Sequence, residues 1–433
     1  MWGAQMRRVL FIAQSYPSVR SPNVLCDDMI IQRLLVTREA EIHCLCMRYY
    51  GQPLEEEVGG VHVHRFQVGP YFEASDRALR KPGTTKERLV RALNRVLLRA
   101  DQVLTAPIYP CYHPLRVWQF VKQAESLQRR YSFDIVACEH FGYETMMAGL
   151  RLKEVHPEIR YIQFFWDALS GGTRPGYLPK AFIDRKRSRL ERRVVGAADC
   201  SVAMLSHREH LMEMDYALKA DAEGRLCFKG VPYLQEIVPI GKDSVIDFEP
   251  DRINVVFAGN LWGRNLEYIV SVLSRVRSAD VTLWVITSSG TGGLKAKLAP
   301  YEDMVKFVPF LEHEELIGVL ANADVLLNMG VKNPNAISGK IFEYMGCCKP
   351  IVSTYSIDNE ACLPILGRYP NSLLLDERDP DLEAAARRVE DFLVCSTGRK
   401  IKYADIESAF YDCTPDSYCD LFDLPLKQGW HRG

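Results

Sequence analysis

Short apolar runs alternate with helix-patterned stretches along the whole of this sequence, and the alternation restarts once near the middle. In the first series Val9–Ala13, Ile42–Met47, Val61–Phe66, Asp134–Cys138, Arg160–Trp166 and Cys200–Leu205 read as strands. Most are continuous rather than alternating, the pattern of a parallel sheet covered on both faces. Met29–Thr37, Arg116–Arg129 and Tyr143–Val155 carry helical periodicity between them. Such alternation predicts a doubly wound α/β domain.

At Pro239–Pro250 the pattern breaks into PIGKDSVIDFEP, a polar, linker-like segment with two prolines. A second series follows. Asn254–Ala258, Val281–Thr287, Val305–Pro309, Asp324–Met329, Pro350–Thr354 and Asn371–Leu375 read as strands. Leu266–Arg277, Glu312–Ala321, Ile337–Cys347 and Pro380–Val394 read as helices. The expected fold is therefore α/β, with two Rossmann-like domains, residues 1–240 and 251–400, facing a central cleft. Residues 401–433 are expected to pack back on the first domain. Ligands of open α/β sheets sit at the carboxyl ends of the strands, so the cleft is the expected site.

Composition narrows the function. A net charge of −1 over 433 residues argues against a dedicated nucleic-acid binder, which shows a basic excess. The 13 cysteines include no CxxC pair, which disfavours a zinc ribbon and fits free thiols in a reducing cytosol. The apolar run after Arg7 and Arg8 is too short for a signal peptide, and no stretch reaches the ~20 apolar residues of a membrane span. A cytoplasmic protein is expected, with a peripheral membrane role open. Two basic stretches bear on that role. Arg77–Arg99 has eight Lys/Arg against one Glu, and Lys180–Arg193 has seven against one Asp and one Glu. Each reads either as a solvated helix face or as a contact for an anionic membrane or a phosphate-bearing acceptor. In Arg77–Arg99 the residues Leu89, Val90, Leu93, Val96 and Leu97 fall at helical spacing, which makes it the better candidate of the two for such a contact.

Chemistry concentrates in NAISGKIFEYMGCCKP, Asn335–Pro350. Ser338 is a plausible N-cap, and Gly339 lets a ligand approach the backbone. Unpaired N–H groups at a helix start favour phosphate, and Lys340 adds a full positive charge. Glu343, one turn on, can accept two hydroxyl hydrogen bonds, as from a ribose diol. Phosphate beside a diol describes a nucleotide; a capped helix with a surface Lys–Glu pair describes the same residues without a ligand.

The neighbouring motifs carry a resemblance. VVFAGNLWGRNLEYI has a strand ending in Gly259 and then a basic loop. LWVITSSGTGG ends in a glycine-rich turn, VKFVPFLEHEELIGVLANADVLLNM gives strand, helix and strand, and GKIFEYMGCCKPIVS follows. Over Arg252–Asp376 their order and spacing resemble the C-terminal domain of GT-B glycosyltransferases of the retaining family 4, glycosyl transferases group 1. Arg8–Gln14, Asp134–His140, Arg160–Leu169 and Ala197–His207 resemble the first domain more weakly.

The resemblance implies roles. Glu343 takes the position that binds the donor ribose, and Arg264 the position that neutralises the leaving diphosphate. Ser289 lies in the turn under the nucleotide, and Val308 and Pro309 in the segment that contacts the base. The family's first acidic residue is replaced here by Asn335, which can still bond a sugar hydroxyl as a neutral group. Asn260 follows Gly259 where the family more often has Arg. His140, beside Glu139, takes a position that faces the sugar, and Asp167 follows Trp166 where the family has His-Asp. The loop Gln14–Pro22 lacks the family's glycine pair.

The implied reaction transfers a sugar from a nucleotide-diphosphate donor to a hydroxyl of a glycan or lipid-linked acceptor, with retention. It calls for no metal, Arg264 and Lys340 meeting the diphosphate charge, and no other cofactor. Polysaccharide or lipopolysaccharide assembly is the family's common setting. A two-Rossmann sugar-nucleotide epimerase and a non-catalytic scaffold are the alternatives. An NAD enzyme would need GxGxxG after the first strand, where the chain reads AQSYPSV.

Overall fold

The computed structural model describes residues 6–17, 22–81, 83–140, 142–172, 175–238, 245–334, 337–396, 399 and 401–426. The chain divides into two units, Met1–Pro232 with Pro415–Gly433, and Tyr233–Thr414.

In the first unit the apolar runs become β1 (Arg7–Ile12), β2 (Ala40–Met47), β4 (Val61–Phe66), β5 (Ile135–Glu139), β6 (Arg160–Phe165) and β7 (Cys200–Met204), joined by β3 (Glu55–Val58) and β8 (Leu226–Lys229). Their order is β3-β4-β2-β1-β5-β6-β7-β8. All pairings are parallel except β3 with β4. The acidic run Glu55–Glu57 makes β3 an edge strand whose charge discourages further pairing. Val9, Leu10, Phe11 and Ile12 of central β1 are fully buried.

Helices α1 (Pro22–Thr37), α2 (Pro70–Leu79), α3 (Thr85–Leu104), α4 (Pro114–Tyr131), α5 (Tyr143–Val155) and α6 (Lys180–Ala197) connect these strands. Phe120 and Ala124 of α4 and Met146 and Leu150 of α5 enter one core with Leu10, Ile12, Val136 and Tyr161. The chain rejoins this unit from Pro415. Arg33 holds Asp416 through two hydrogen bonds of 2.8 and 2.7 Å, Tyr418 donates to the Gly230 carbonyl at 2.5 Å, and Phe422 stacks on Phe11. The helix Tyr403–Ala409 falls in the second unit instead.

The second unit holds β9 (Ile253–Ala258), β10 (Val281–Ile286), β11 (Val305–Val308), β12 (Val325–Met329), β13 (Ile351–Tyr355) and β14 (Ser372–Asp376). All are parallel, in the order β11-β10-β9-β12-β13-β14. Counted from β9 this is 3-2-1-4-5-6, with the order reversing between β9 and β12. The carboxyl ends of those two strands therefore open a crevice, where such sheets receive ligands. In the first unit the same reversal lies between β1 and β5.

The helix expected over Ile337–Cys347 is shorter, Lys340–Gly346. Six of its seven residues, Ile341 to Gly346, are buried, so it is an interior helix and not an amphipathic surface one. The backbone of Tyr233–Ile237 runs beside it, and Ile237 N–H donates to the Gly346 carbonyl at 3.0 Å. A Cβ at Gly346 would collide with the Gln235 carbonyl, so only glycine allows this approach.

Candidate functional site

In the second unit the loops after β9, β10 and β12 converge on the crevice. The loop after β9 begins at Gly259, whose N–H donates to the Ile286 carbonyl at 3.0 Å. It is tied to the loop after β10 through Asn260, whose side-chain oxygen accepts from the Ser289 hydroxyl at 2.8 Å and from Trp262 N–H at 2.7 Å. The Ser289 hydroxyl also accepts from Leu261 N–H at 3.1 Å. Ser289 thus fastens one loop to the other. The positive φ of Gly263, +73°, completes the turn that delivers Arg264.

Arg264 is held by its neighbours. Its Nε donates to the Asn260 carbonyl at 2.9 Å, and its guanidinium lies over the Phe257 ring at 5.8 Å. Burial lowers its pKa from the ordinary guanidinium value, while Tyr344, Cys362 and Glu360 raise it. A cation held on this loop suits an anion at the β9 end of the crevice.

The helix Lys340–Gly346 enters from the β12 side. Tyr344 accepts a hydrogen bond from Ala258 N–H at 3.2 Å, which pins the helix to the last residue of β9. Lys340 Nζ lies 2.7 Å from Glu343 Oε2. Glu343 is 8% exposed, so the pair is not the surface pair the sequence allowed. A buried carboxylate without a cation would be costly, and Lys340 supplies one.

The cap expected for this helix is corrected. Ser338 does not cap it: the cap position is Gly339, with no side-chain cap, and Ser338 N–H donates to Cys362 Sγ at 3.3 Å. Gly339 has its Cβ side filled by the Tyr233 ring, which a Cβ would approach to 2.5 Å. Packing against Tyr233 requires glycine there before any ligand does. Asn335 lies outside the described residues.

Val308 ends β11 (Val305–Val308), two strands from β9, and Pro309 follows it; the Val308 carbonyl accepts from Thr287 N–H at 3.3 Å. The structure therefore brings Gly259, Ser289, Arg264, Ser338 and Gly339 on loops, and Lys340 and Glu343 on the helix that follows, to one end of the sheet, with Val308 and Pro309 towards its outer edge.

Sequence reasoning passed over Glu360, in the irregular segment after β13. It is 2% exposed, and its Oε2 has no hydrogen-bond partner among the described residues. Burial pushes its pKa up to about 7, with Cys362 and Arg264 pulling the other way. A Cβ at Gly330, the residue after β12, would come within 2.9 Å of Glu360 Oε2. A carboxyl poised near neutrality beside Arg264 can hold or release a proton at working pH.

In the first unit His140 follows β5 at the order reversal. Its Nδ1 lies 3.1 Å from the Asp167 carbonyl, which can only accept, so Nδ1 carries the proton and Nε2 a lone pair. Burial lowers its pKa, which favours that neutral form. His140 lines a cavity of about 370 Å³ with Gln14, Arg116, Tyr143 and Arg187. Arg187 donates to the Tyr109 hydroxyl at 2.6 Å, and Arg116 lies 3.8 Å from Glu144. Gln14 and Arg187 come from stretches the sequence singled out, whereas Arg116 and Tyr143 were assigned no role from sequence.

Glu139, the neighbour of His140, is an internal residue. It is buried against Asp27 and accepts from Gln14 N–H at 2.5 Å, while Trp166 Nε1 donates to Asp27 at 3.1 Å. Burial and mutual proximity raise the Asp27 carboxyl, and burial raises Glu139, so the pair holds a proton and fixes the β1 and β5 ends. Among the described residues one group, Glu41, His43 and His62, has the ligand types and spacing for a metal ion. Glu41 there already pairs with Arg8 and with His43.

Residues 252–393 match the family described as glycosyl transferases group 1. Among solved structures, a glycosyltransferase from Rickettsia africae is similar at 11% identity and TM-score 0.58, covering 97% of each chain. Sucrose-phosphate synthase from Thermosynechococcus elongatus is similar at 12% identity and TM-score 0.54, covering 96% of this chain and 99% of its own. UDP-GlcNAc 2-epimerase from Methanocaldococcus jannaschii is similar at 11% identity and TM-score 0.55, covering 96% and 99%. No curated protein matches the sequence. At these identities the structural likeness establishes the fold.

Proposed function

We propose, from the premise that this chain has the GT-B fold and that its residues 252–393 are a glycosyl transferases group 1 domain, that it moves a sugar from a nucleotide-diphosphate donor to an acceptor hydroxyl. One observation carries the reading. Within the matched residues, the loop after β9 presents Arg264 and the helix Lys340–Gly346 presents the Lys340–Glu343 pair, on the two sides of the β9/β12 crevice. Cations for a diphosphate and a carboxylate for a ribose diol thus belong to the same end of one sheet.

The 2.7 Å contact between Lys340 and Glu343 gives binding a sequence of events. An arriving diphosphate draws Lys340 away from Glu343. The carboxylate then exchanges one cationic partner for the two ribose hydroxyls, and its burial is compensated throughout. Diphosphate and ribose are thus recognised together.

In the transfer the bond from the anomeric carbon to the leaving phosphate oxygen breaks, and a bond to the acceptor oxygen forms. The leaving diphosphate gains negative charge, met by Arg264 and Lys340, and accepts the proton of the acceptor hydroxyl. The reading takes the anomeric configuration as retained and assigns the diphosphate charge to no metal ion. The cavity beside His140 receives the acceptor, a glycan or a lipid-linked sugar, with Nε2 of His140 accepting a hydroxyl hydrogen bond.

The test is to incubate the chain with sugar nucleotides of several bases, with and without a mixture of glycan and lipid-linked acceptors. Release of nucleoside diphosphate that requires acceptor is expected. Conversion of the donor to a stereoisomer without acceptor and without release would replace this reading with the epimerase one.

A further inference from the structure

α3 is built inside out. It is capped by Thr84, whose hydroxyl accepts from Glu87 N–H at 3.1 Å, and it meets the rest of the unit through polar side chains. Glu87 is its one buried residue among those described. Asn94 accepts from the Tyr71 hydroxyl at 2.6 Å and donates to Ser75 at 3.1 Å. Glu87 and Asn94, seven residues apart, lie on one face.

The opposite face is apolar and open. Leu89, Leu93, Val96 and Val103 recur at steps of three, four and seven and are 66, 46, 62 and 73% exposed. Leu104 extends the stripe and is 75% exposed. An ordinary surface helix buries such a stripe and solvates its polar face. Along one border of the stripe run Arg88, Arg95 and Arg99, four to seven residues apart and all exposed.

We infer that α3 is a docking surface for the plane of an anionic lipid bilayer. An apolar stripe beside a cationic row fits a surface that offers acyl chains below and negative headgroups above. No described helix is long and apolar enough to cross a membrane, and α3 carries charge along its whole length, so it lies on the surface and does not span it. Leu98 and Gln102, on the side of α3 away from the stripe, line the cavity beside His140, so docking holds that cavity about one helix diameter from the lipid surface. The surface stands without the transferase reading; that the acceptor is lipid-linked rests on it.

Flotation of the full chain with phosphatidylcholine vesicles, and with vesicles containing about 30 mol% phosphatidylglycerol, tests this. The anionic vesicles are expected to carry at least about tenfold more protein, and about 0.5 M salt to reduce the bound fraction. Leu93→Asp with Val96→Asp removes binding to both vesicles, and since both positions are exposed the thermal midpoint stays put. Arg88→Ser with Arg95→Ser and Arg99→Ser removes the preference for anionic lipid. Absence of flotation, or equal flotation with neutral and anionic vesicles, overturns the inference. So does a lipid-free wild-type oligomer that the Leu93/Val96 variant converts to monomer, since a second copy would then cover α3.

Discussion

Replacing Arg264 by alanine lowers turnover about 10²–10³-fold, with little change in thermal midpoint. The size follows from its place. Arg264 is the cation of the β9 loop, oriented by its Nε bond to Asn260 and by the Phe257 ring. Negative charge on the leaving diphosphate is greatest as the sugar bond breaks, so its stabilisation appears in kcat more than in KM. Arg264→Lys keeps a charge but loses the planar fork and the Asn260 contact, and falls between wild type and alanine. Steady-state kinetics with the donor identified by nucleotide binding checks this. An unchanged kcat for Arg264→Ala would reduce Arg264 to a loop residue that merely packs on Phe257.

Glu360→Gln changes how stability depends on pH. The folded pKa of Glu360 is raised from 4.5 to about 7, chiefly by burial. A raised carboxyl binds its proton more tightly in the folded state. Its contribution is full below the unfolded value and is lost as pH rises through the folded one. The shift corresponds to about 3 kcal/mol between pH 4 and pH 8. The glutamine keeps the shape and does not titrate, so the variant gains on wild type as pH rises. The buried Asp27–Glu139 pair has the same sign, and it cancels in the difference between the two proteins. Thermal midpoints of both, measured across pH 5 to 8, are the check: parallel profiles would show that Glu360 has no raised pKa.

Most of the fold is legible in the sequence because parallel strands buried on both faces are apolar throughout. Val9–Ala13 and Asp324–Met329 each came within a residue or two of the strand they form, Arg7–Ile12 and Val325–Met329. The strands that escape reading are the edge pair. Glu55–Val58 hides behind three glutamates, and Leu226–Lys229 has four residues, too few for a period.

The site was readable where a local rule applies. Gly259, Arg264, Lys340 and Glu343 sit beside elements that the apolar pattern locates. Ser338 failed as a cap because its neighbourhood is set by Cys362, 24 residues on, which accepts its N–H. Gly339 is dictated by Tyr233, more than a hundred residues earlier, and Glu360 acquires its character only from burial near Arg264. The cavity beside His140 gathers Arg116 and Arg187 from α4 and α6, a meeting no short motif records.

The central claim is a nucleotide site that depends on Glu343. The direct measurement is calorimetric titration of the wild type and of Glu343→Ala with UDP, GDP, ADP and CMP, followed by the corresponding sugar nucleotides. One base should bind the wild type saturably. At about 100 times its dissociation constant it should stabilise the fold by about 2.7 kcal/mol, and Glu343→Ala should lose that binding. A wild type that binds none of them, or binds one as tightly when Glu343 is alanine, contradicts the account.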